Sequence, residues 1–183
     1  MFFVVDTSKA MQAAAVLLRL QHGHRMNYML LLKLLYLADR ESLGETGRTI
    51  TQDRLVAMKR GPLPSGVYDL IRGQHVDVGL WAEHIETDHY DVQLVKDPGV
   101  GRLSKYEVQK LQEIWKRYED MDEWAMVEIM HKLPEWIKNN PGESSKPIPI
   151  EDILDAVGRG EEKDAIIEGL KQQQTYDRIF GRR

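Results

Sequence analysis

The sequence predicts a mainly α-helical domain built around one buried central helix, with a small β-hairpin as its minor β component. Residues 29–37 are the most apolar segment of the chain, and at 3.6 residues per turn they cover most of a helix circumference. Other segments repeat apolar residues at helical spacing on one face only. Residues 90–94 instead alternate apolar and polar side chains, which is typical of a strand.

Composition narrows the class of protein. A chain of 183 residues suits one domain or one domain with a helical appendage, and we predict a domain over residues 1–158 and a C-terminal helical extension over residues 159–183. The absence of cysteine excludes disulfides, cysteine-ligated zinc and thiol nucleophiles. A net charge of −4 without a long basic run disfavours nucleic-acid binding. No apolar run reaches the roughly 18 residues of a membrane span, so we expect a cytoplasmic protein that does not contact a membrane.

The first two helices are predicted from their capping residues. Asp6 or Thr7 can cap a helix that runs to about His22, and the residues before it are expected to be extended or to form a short strand. Asn27 can cap the central helix in the same way. Gly44 suits the end of that helix, because glycine readily adopts the left-handed conformation.

The middle of the chain is predicted to be more varied. Thr51 is a plausible N-cap for a helix starting at the next residue. Two prolines and two glycines within residues 60–66 predict a rigid turn, after which a short helix resumes and stops at Gly73. Ile85 and Val92 flank a polar turn, which predicts a half-exposed hairpin.

The C-terminal half is predicted to be helical. Ser104 and the glutamate three residues later form a capping box, and Asp122 can cap the next helix. Residues 139–147 have the composition of a poorly ordered turn, and Pro149 can open a further helix. A final amphipathic helix starts near Glu161, and it either folds back on the domain or projects as a surface for a partner.

The central helix carries one polar stripe, formed by Lys33, Tyr36 and Arg40, with Asp39 beside it. Such a stripe is either a hydrogen-bonded seam in the core or the wall of a binding site. Asp39 is either an anchor for the following loop or a general base, and the anchor is favoured because no nucleophile or metal partner can be named nearby. The six histidines lack metal-ligand spacing, and no phosphate-, dinucleotide- or hydrolase-type motif occurs.

Several blocks of the chain together resemble a known family. Residues 33–40 read KLLYLADR, and they are followed by Thr51 and Asp53, then by a Gly-Pro pair at 61–62, then by Val-Tyr-Asp at 67–69. In order and spacing these blocks resemble the Panacea antitoxin domain, also called the SocA-like domain of phage-associated and toxin–antitoxin proteins. The resemblance continues through residues 131–136 and 148–153 and spans most of residues 10–155.

This resemblance implies a bacterial, non-enzymatic antitoxin that binds and neutralises a cognate toxin encoded nearby, with no cofactor. One member of the family delivers its toxin to a protease, so a proteolytic adaptor with a cytosolic protease as second partner is an alternative. A small enzyme using the neighbourhood of Asp39 and Arg40, or His131, is a further alternative. An acidic antitoxin is expected to associate faster with a basic toxin.

The resemblance also selects candidate residues for the scaffold and for part of the toxin-binding surface. They are Lys33, Tyr36, Asp39, Arg40, Asp53, Gly61, Pro62, Tyr68, Asp69, His131 and Trp136. A structural role competes at each position: backbone conformation for Gly61, core packing for Tyr68, and capping or a buried hydrogen bond for Asp69. Contacts that differ between family members are expected in the hairpin around residues 84–92 and in the C-terminal helix.

Overall fold

Helices make up most of the described chain, which comprises residues 4–180 of the computed structural model without the side chain of Arg178. The helices are α1 (Thr7–Leu20), α2 (Tyr28–Thr46), α3 (Ser65–Ile71), α4 (Val78–Ala82), α5 (Lys105–Tyr118), α6 (Glu123–Met130), α7 (Pro134–Lys138), α8 (Ile150–Ala156) and α9 (Lys163–Phe180). The strands are β1 (Arg25–Asn27), β2 (Leu55–Met58), β3 (Gly61–Pro64), β4 (Ile85–Asp88), β5 (Asp91–Leu94) and β6 (Lys146–Pro147). Within these residues the strands form two three-stranded antiparallel sheets, in the orders β1-β5-β4 and β3-β2-β6. The predicted fold class, mainly α with a minor β component, is confirmed.

The helix α2 lies at the centre of the core, as the sequence predicts. Residues 31–39 are all buried, and α1, α5, α6 and β3 pack around them. Asn27 caps the start of the helix, because its side chain accepts a hydrogen bond from the amide of Met29 at 2.8 Å. A helix buried on every side needs partners for each polar group that it carries, and this requirement organises the rest of the domain.

The end of α2 differs from the prediction. The helix continues through Gly44 and ends at Gly47, whose φ of 73° is in the left-handed region. The amide of Gly47 donates to the carbonyl of Leu43 at 2.9 Å. Gly44 instead provides close packing, because a Cβ there would come within 3.2 Å of the side chain of Val157.

The hairpin predicted around residues 84–92 is confirmed. Strands β4 and β5 pair with Ile85 opposite Leu94. Val92 and Leu94 are buried while the intervening Gln93 is exposed, so the second strand is half-exposed as expected. The third strand of this sheet, β1, has three residues, which are too few to show a pattern of period two, and it extends the sheet beside β5.

The chain between Thr51 and α3 corrects two predictions. A hairpin of β2 and β3 replaces both the helix expected after Thr51 and the rigid turn expected over residues 60–66. Prolines are tolerated in β3 because it is an edge strand, whose outer face needs no amide donors for the sheet. The other edge of β2 pairs with β6, although β6 lies in residues 139–147, where the composition predicts little order. Local sequence cannot reveal a pairing between segments so far apart.

Predicted helix starts are confirmed at three caps. Asp6 accepts a hydrogen bond from the amide of Lys9 at 3.1 Å. Ser104 forms the capping box with Glu107, and both of its reciprocal hydrogen bonds are present. Asp122 accepts from two amides in the first turn of α6. Each of these signals depends only on residues close in sequence, which explains why the pattern alone identifies them.

Shorter segments complete the domain. Residues 4–6 form no strand, and the remainder of the segment for which a strand was considered, residues 1–3, lies outside the described residues. The short helix α7 begins at Pro134, which suits the first turn of a helix. The helix α8 begins after Pro149, as predicted.

Of the two arrangements predicted for the C-terminal helix, α9 adopts the one that folds back on the domain, and a role as a partner surface stays a prediction. Its first turns fold back on the domain, where Ile167 is buried and Ile166 and Leu170 pack against the core. In its last turns Gln173 and Asp177 still line a recess with α1, whereas Ile179 and Phe180 are 63% and 69% exposed. Residues 4–180 contain no helix with the length and apolar character needed to cross a membrane.

Candidate protein-binding surface

The polar stripe of α2 is satisfied mainly by one glutamate that the pattern does not single out. Glu135, in α7, has a fully buried side chain that accepts a hydrogen bond from the Tyr36 hydroxyl at 3.0 Å. It also accepts from Nε of Arg40 at 2.6 Å and from Nη2 at 3.3 Å. Burial, followed by the negative charge of Glu135, raises the pKa of Tyr36 well above its ordinary value. Tyr36, Arg40 and Glu135 therefore form a buried seam that fixes α7 to α2.

A signal for Glu135 does exist in the sequence. A buried helix that carries a tyrosine and an arginine on one stripe requires an acidic acceptor elsewhere in the chain. Glu135 lies between Pro134 and Trp136, in a block that belongs to the family resemblance. The pattern cannot choose it from the other acidic residues, because the contact joins positions 95 residues apart.

Asp39 anchors the loop that follows α2. Its carboxylate accepts hydrogen bonds from the amides of Ile50 and Thr51 at 2.7 and 2.9 Å and from the Thr51 hydroxyl at 2.5 Å. Burial raises the pKa of Asp39 to about 7, and these hydrogen bonds oppose the shift. A general base must reach a substrate, whereas Asp39 is fully buried with its oxygens occupied, so the geometry favours the anchor.

Asp53 supplies the cap that α3 lacks at its own N-terminus. Its carboxylate accepts hydrogen bonds from the amides of Gly66 and Val67, each at 2.9 Å, and from the amide of Arg54 at 2.6 Å. The close approach requires glycine at position 66, since a Cβ there would lie 2.8 Å from the Asp53 carboxylate. Burial raises the pKa of Asp53 to about 6.

Gly61 and Pro62 hold β3 against the helices. Gly61 has a φ of 97°, and a Cβ there would come within 2.6 Å of the Cβ of Met130 in α6. The carbonyl of Pro62 accepts a hydrogen bond from Nζ of Lys33 at 2.9 Å. The competing structural role predicted for Gly61, a special backbone conformation, is therefore present.

His131 and Trp136 support the turn between β2 and β3. Their rings stack with centroids 4.3 Å apart. Nε2 of His131 lies 3.0 Å from the carbonyl oxygen of Lys59, and the indole of Trp136 donates to the carbonyl of Met58 at 3.0 Å. These two side chains hold a turn that comes more than 70 residues before them.

The remaining two candidates, Tyr68 and Asp69, lie nearer the surface. Tyr68 is half-buried and has the Arg72 guanidinium 4.6 Å above its ring. Asp69 is half-exposed and pairs with the same arginine at 3.6 Å, so it is neither a cap nor a buried hydrogen-bonding group. The structure thus divides the predicted residues into a larger set that hydrogen-bonds or packs within the scaffold and a pair, Tyr68 and Asp69, that interacts with Arg72 near the surface.

Tyr68 belongs to a surface rich in aromatic and arginine side chains. The ring of Tyr28 lies 6.3 Å from those of both Tyr68 and Tyr90. Nearby, the Arg60 guanidinium lies 5.0 Å above the ring of Trp124. We call these side chains the aromatic–arginine surface: Tyr28, Arg60, Tyr68, Arg72, Tyr90 and Trp124. No motif predicts it, because its members come from α2, α3, α6 and three turns.

A groove of about 250 Å³ opens within this surface, between α2, α3 and the β2–β3 turn. Its described lining residues are Tyr28, Met29, Leu32, Lys33, Met58, Lys59, Arg60, Gly61, Leu63 and Tyr68. Lys33 thereby belongs to the wall of a recess as well as to the polar stripe, whereas Tyr36 and Arg40 form the hydrogen-bonded seam. That the stripe lines a binding site stays a prediction. Burial lowers the pKa of Lys33 to about 7.

A second recess, of about 490 Å³, lies where α1, α2, α5 and α9 meet. Its polar lining includes Lys9 and Arg102, which are already paired with Glu107 and Asp6 at 2.6 and 2.8 Å. Among the described residues, no group of three histidine, aspartate or glutamate side chains is arranged to hold a metal ion. The groove over Lys33 differs from this recess in that the charged side chain in its wall, Lys33, is buried and has no carboxylate partner in the described chain.

The fold and this surface define a small helical domain with a rigid core and an aromatic face. Comparison with known families gives the assignment: the chain belongs to the family described as antitoxin SocA-like, Panacea domain, whose model matches residues 31–137. The match includes the buried seam and all of the aromatic–arginine surface except Tyr28. No curated protein and no solved structure is similar enough to the chain to count as a match.

Proposed function

We propose that the protein is an antitoxin that neutralises a cognate toxin, encoded nearby, by direct binding in the bacterial cytoplasm. Membership of the antitoxin SocA-like family supports a toxin partner. The observation that carries the binding mode is the aromatic–arginine surface. Tyrosine, tryptophan and arginine are the residue types most enriched at the energetic centres of protein interfaces.

The exposure of this surface supports the same proposal. Tyr90 is 71% exposed and Trp124 is 54% exposed, so both have large apolar areas left to bury against a partner. The side chains stand on a scaffold in which Glu135, Asp53 and Trp136 form buried or partly buried hydrogen bonds between distant segments. A surface that is ordered before binding loses less conformational entropy when a partner binds.

The domain boundaries form part of this proposal. We assign the antitoxin domain to residues 1–158 and a helical extension to residues 159–183. The family match ends at residue 137, but Ile148, Ile153 and Leu154 are buried in the same hydrophobic core as α2. The extension begins with the short 3-10 turn Gly160–Glu162 and is anchored by Ile167.

Co-expression with the product of the adjacent gene tests the function. The wild-type chain is expected to relieve the growth arrest that the toxin causes, and the purified proteins are expected to form a complex by calorimetry. Tyr90→Ala and Trp124→Ala should each weaken the complex by about 2 kcal/mol or more if they are central contacts. Tyr176→Ala on α9 is the matched control, since it removes an exposed aromatic ring outside the surface.

Absence of relief by the wild-type chain would contradict the proposal. If Tyr176→Ala weakened the complex as much as Tyr90→Ala and Trp124→Ala do, α9 would also belong to the binding site. The adaptor alternative is supported by the exposed end of α9, where Tyr176, Ile179 and Phe180 offer a second apolar surface for a protease. Relief that persists in a protease-deleted host indicates direct blocking, whereas relief that requires the protease indicates delivery.

A further inference from the structure

Two lysines are buried in this protein, and their surroundings differ sharply. Lys110 has three carboxylates around it, from Glu41 at 3.2 Å, Glu45 at 2.7 Å and Glu113 at 3.3 Å. Lys33 is 1% exposed, and its Nζ donates one hydrogen bond, to the carbonyl of Pro62. No acidic residue of the described chain forms an ion pair with it. An ammonium group can donate three hydrogen bonds, and the described residues supply a side-chain or backbone acceptor for one of them.

The groove beside Lys33 is positively charged as well as apolar. None of its described lining residues is acidic. Arg60 on its rim lies over Trp124 and has no carboxylate partner within the described residues. Lys59, the other cation of the lining, is already paired with Glu143 at 2.8 Å. Two basic side chains without a carboxylate partner, Arg60 and Lys33 (which is cationic when protonated), thus line one recess of a protein whose net charge is −4.

The size of the recess limits what can enter. Its volume of about 250 Å³ is below the range of roughly 300–1,000 Å³ that is typical of small-molecule sites. It suits one side chain that projects from a protein surface. Apolar walls from Met29, Leu32 and Leu63 would enclose the aliphatic part of such a side chain.

We propose that the groove receives the carboxylate of an aspartate or glutamate side chain on the toxin, and that Lys33 Nζ donates to it. This inference rests on the proposed function and names the chemistry of the toxin segment. Arg60 contributes the second positive charge, and Tyr28 and Tyr68 cover the aliphatic stem. The acidic side chain completes the hydrogen bonding that Lys33 lacks in the free protein.

A toxin-independent experiment tests the groove. The full chain, labelled with ¹⁵N and with ¹³C at lysine, is titrated with 3-phenylpropionate and, separately, with the neutral 3-phenylpropanamide. The carboxylate is expected to produce saturable shifts at the amides of Lys59, Arg60 and Gly61 and at Cε of Lys33. The affinity for the amide should be at least about tenfold lower than that for the carboxylate, since a hydrogen bond to a charged group contributes about 1.5–3 kcal/mol.

Variants locate the effect. Lys33→Met keeps the length of the side chain and should weaken carboxylate binding by about tenfold or more. Lys116→Met is the matched control, because Lys116 is 74% exposed, pairs with Glu119 and lies outside the groove, and it should change binding by about twofold at most. Equal binding of the carboxylate and the amide to the wild-type chain would overturn the proposal, and this comparison requires no variant to fold. Shifts confined to the recess between α5 and α9 would overturn it too.

The toxin itself supplies the last measurement. Each acidic surface residue of the toxin is changed to its amide, and binding is measured to the wild-type chain and to Lys33→Met. One toxin position should show a coupled loss, in which the second change costs little once the first is made. If the toxin binds but no position couples to Lys33, the groove proposal fails while the proposed function stands. If the probe binds but the toxin does not, the proposed function fails and the toxin is excluded as the occupant.

Discussion

The polar side chains of α2 differ in their hydrogen-bond partners within the core. Tyr36 and Arg40 share Glu135, and Asp39 is satisfied by the loop that follows the helix. Lys33 finds a single carbonyl. A buried charge without a counter-charge favours its neutral form, which explains why burial lowers the pKa of Lys33 to about 7.

The depressed pKa of Lys33 predicts how stability depends on pH. Between about pH 7 and the ordinary lysine value of 10.5, the unfolded chain binds a proton that the folded chain has released. Lys33 therefore makes the folded state more stable as pH rises through this window. The free energy of unfolding of the wild-type chain, relative to Lys33→Met, should increase by up to about 1.4 kcal/mol per pH unit.

Urea denaturation of both proteins at several pH values between 7.5 and 9.5 measures this slope. Lys59→Met serves as the control, because it makes the same substitution at a lysine that is 68% exposed. A difference between wild type and Lys33→Met that stays flat across the window would show that Lys33 remains charged in the folded protein.

Glu135 is predicted to matter more for stability than any exposed acidic residue. Glu135→Ala leaves the Tyr36 hydroxyl and the Arg40 guanidinium without their acceptor, and breaking a buried charge pair in this way costs about 3–5 kcal/mol. Glu128→Ala, on the exposed side of α6, should change stability by about 0.5 kcal/mol at most. Chemical denaturation compares the two, and similar values would argue against a rigid seam.

At the scale of elements, β3 is the strand whose position the helices determine most directly. Gly61→Ala must accommodate a positive φ and a clash with Met130, and we expect a loss of about 2–5 kcal/mol. Gly73→Ala is a matched control with a φ of 72° but no heavy atom of the described chain within 4 Å of the added Cβ. It should cost about 1 kcal/mol, and thermal unfolding can rank the pair.

Truncation of α9 separates its two halves. A chain that ends at Lys171 keeps the buried Ile167 and the packed Leu170, so its stability should fall by less than about 1 kcal/mol. It should still relieve growth arrest if the toxin is blocked directly. If the truncated chain no longer relieves growth arrest but binds the purified toxin with unchanged affinity, the adaptor is favoured. If its free energy of unfolding falls by several kcal/mol, the end of α9 stabilises the domain.

For the whole molecule, signals between residues close in sequence predict much of the fold. The candidate site depends on contacts between residues far apart in sequence, and the sequence predicts very little of it. The caps at Asp6, Asn27 and Ser104, the buried central helix and the β4–β5 hairpin all depend on residues close in sequence. The β2–β3–β6 sheet was not predictable from propensity, since its order depends on a distant partner strand and on an edge position that tolerates proline.

The candidate site follows the same rule. Residues chosen by family resemblance fall mostly in the scaffold, where Asp39 and Asp53 satisfy backbone amides and Trp136 supports a turn. Tyr28, Arg60 and Trp124 carry no sequence signal of their own, because each contributes to the surface only through its neighbours in space. The expectation that variable toxin contacts lie in the hairpin around residues 84–92 and in α9 stays a prediction.

The support of the β2–β3 turn by His131 and Trp136 has a consequence for synthesis of the protein. The contact to Lys59 spans 72 residues and that to Met58 spans 78. A nascent chain of only 130 residues contains neither His131 nor Trp136 to support the turn, and it lacks Glu135, which pairs with Arg40. The toxin-binding capacity that we propose therefore requires synthesis past Trp136, and a product that terminates before this residue is expected to offer the cell no protection.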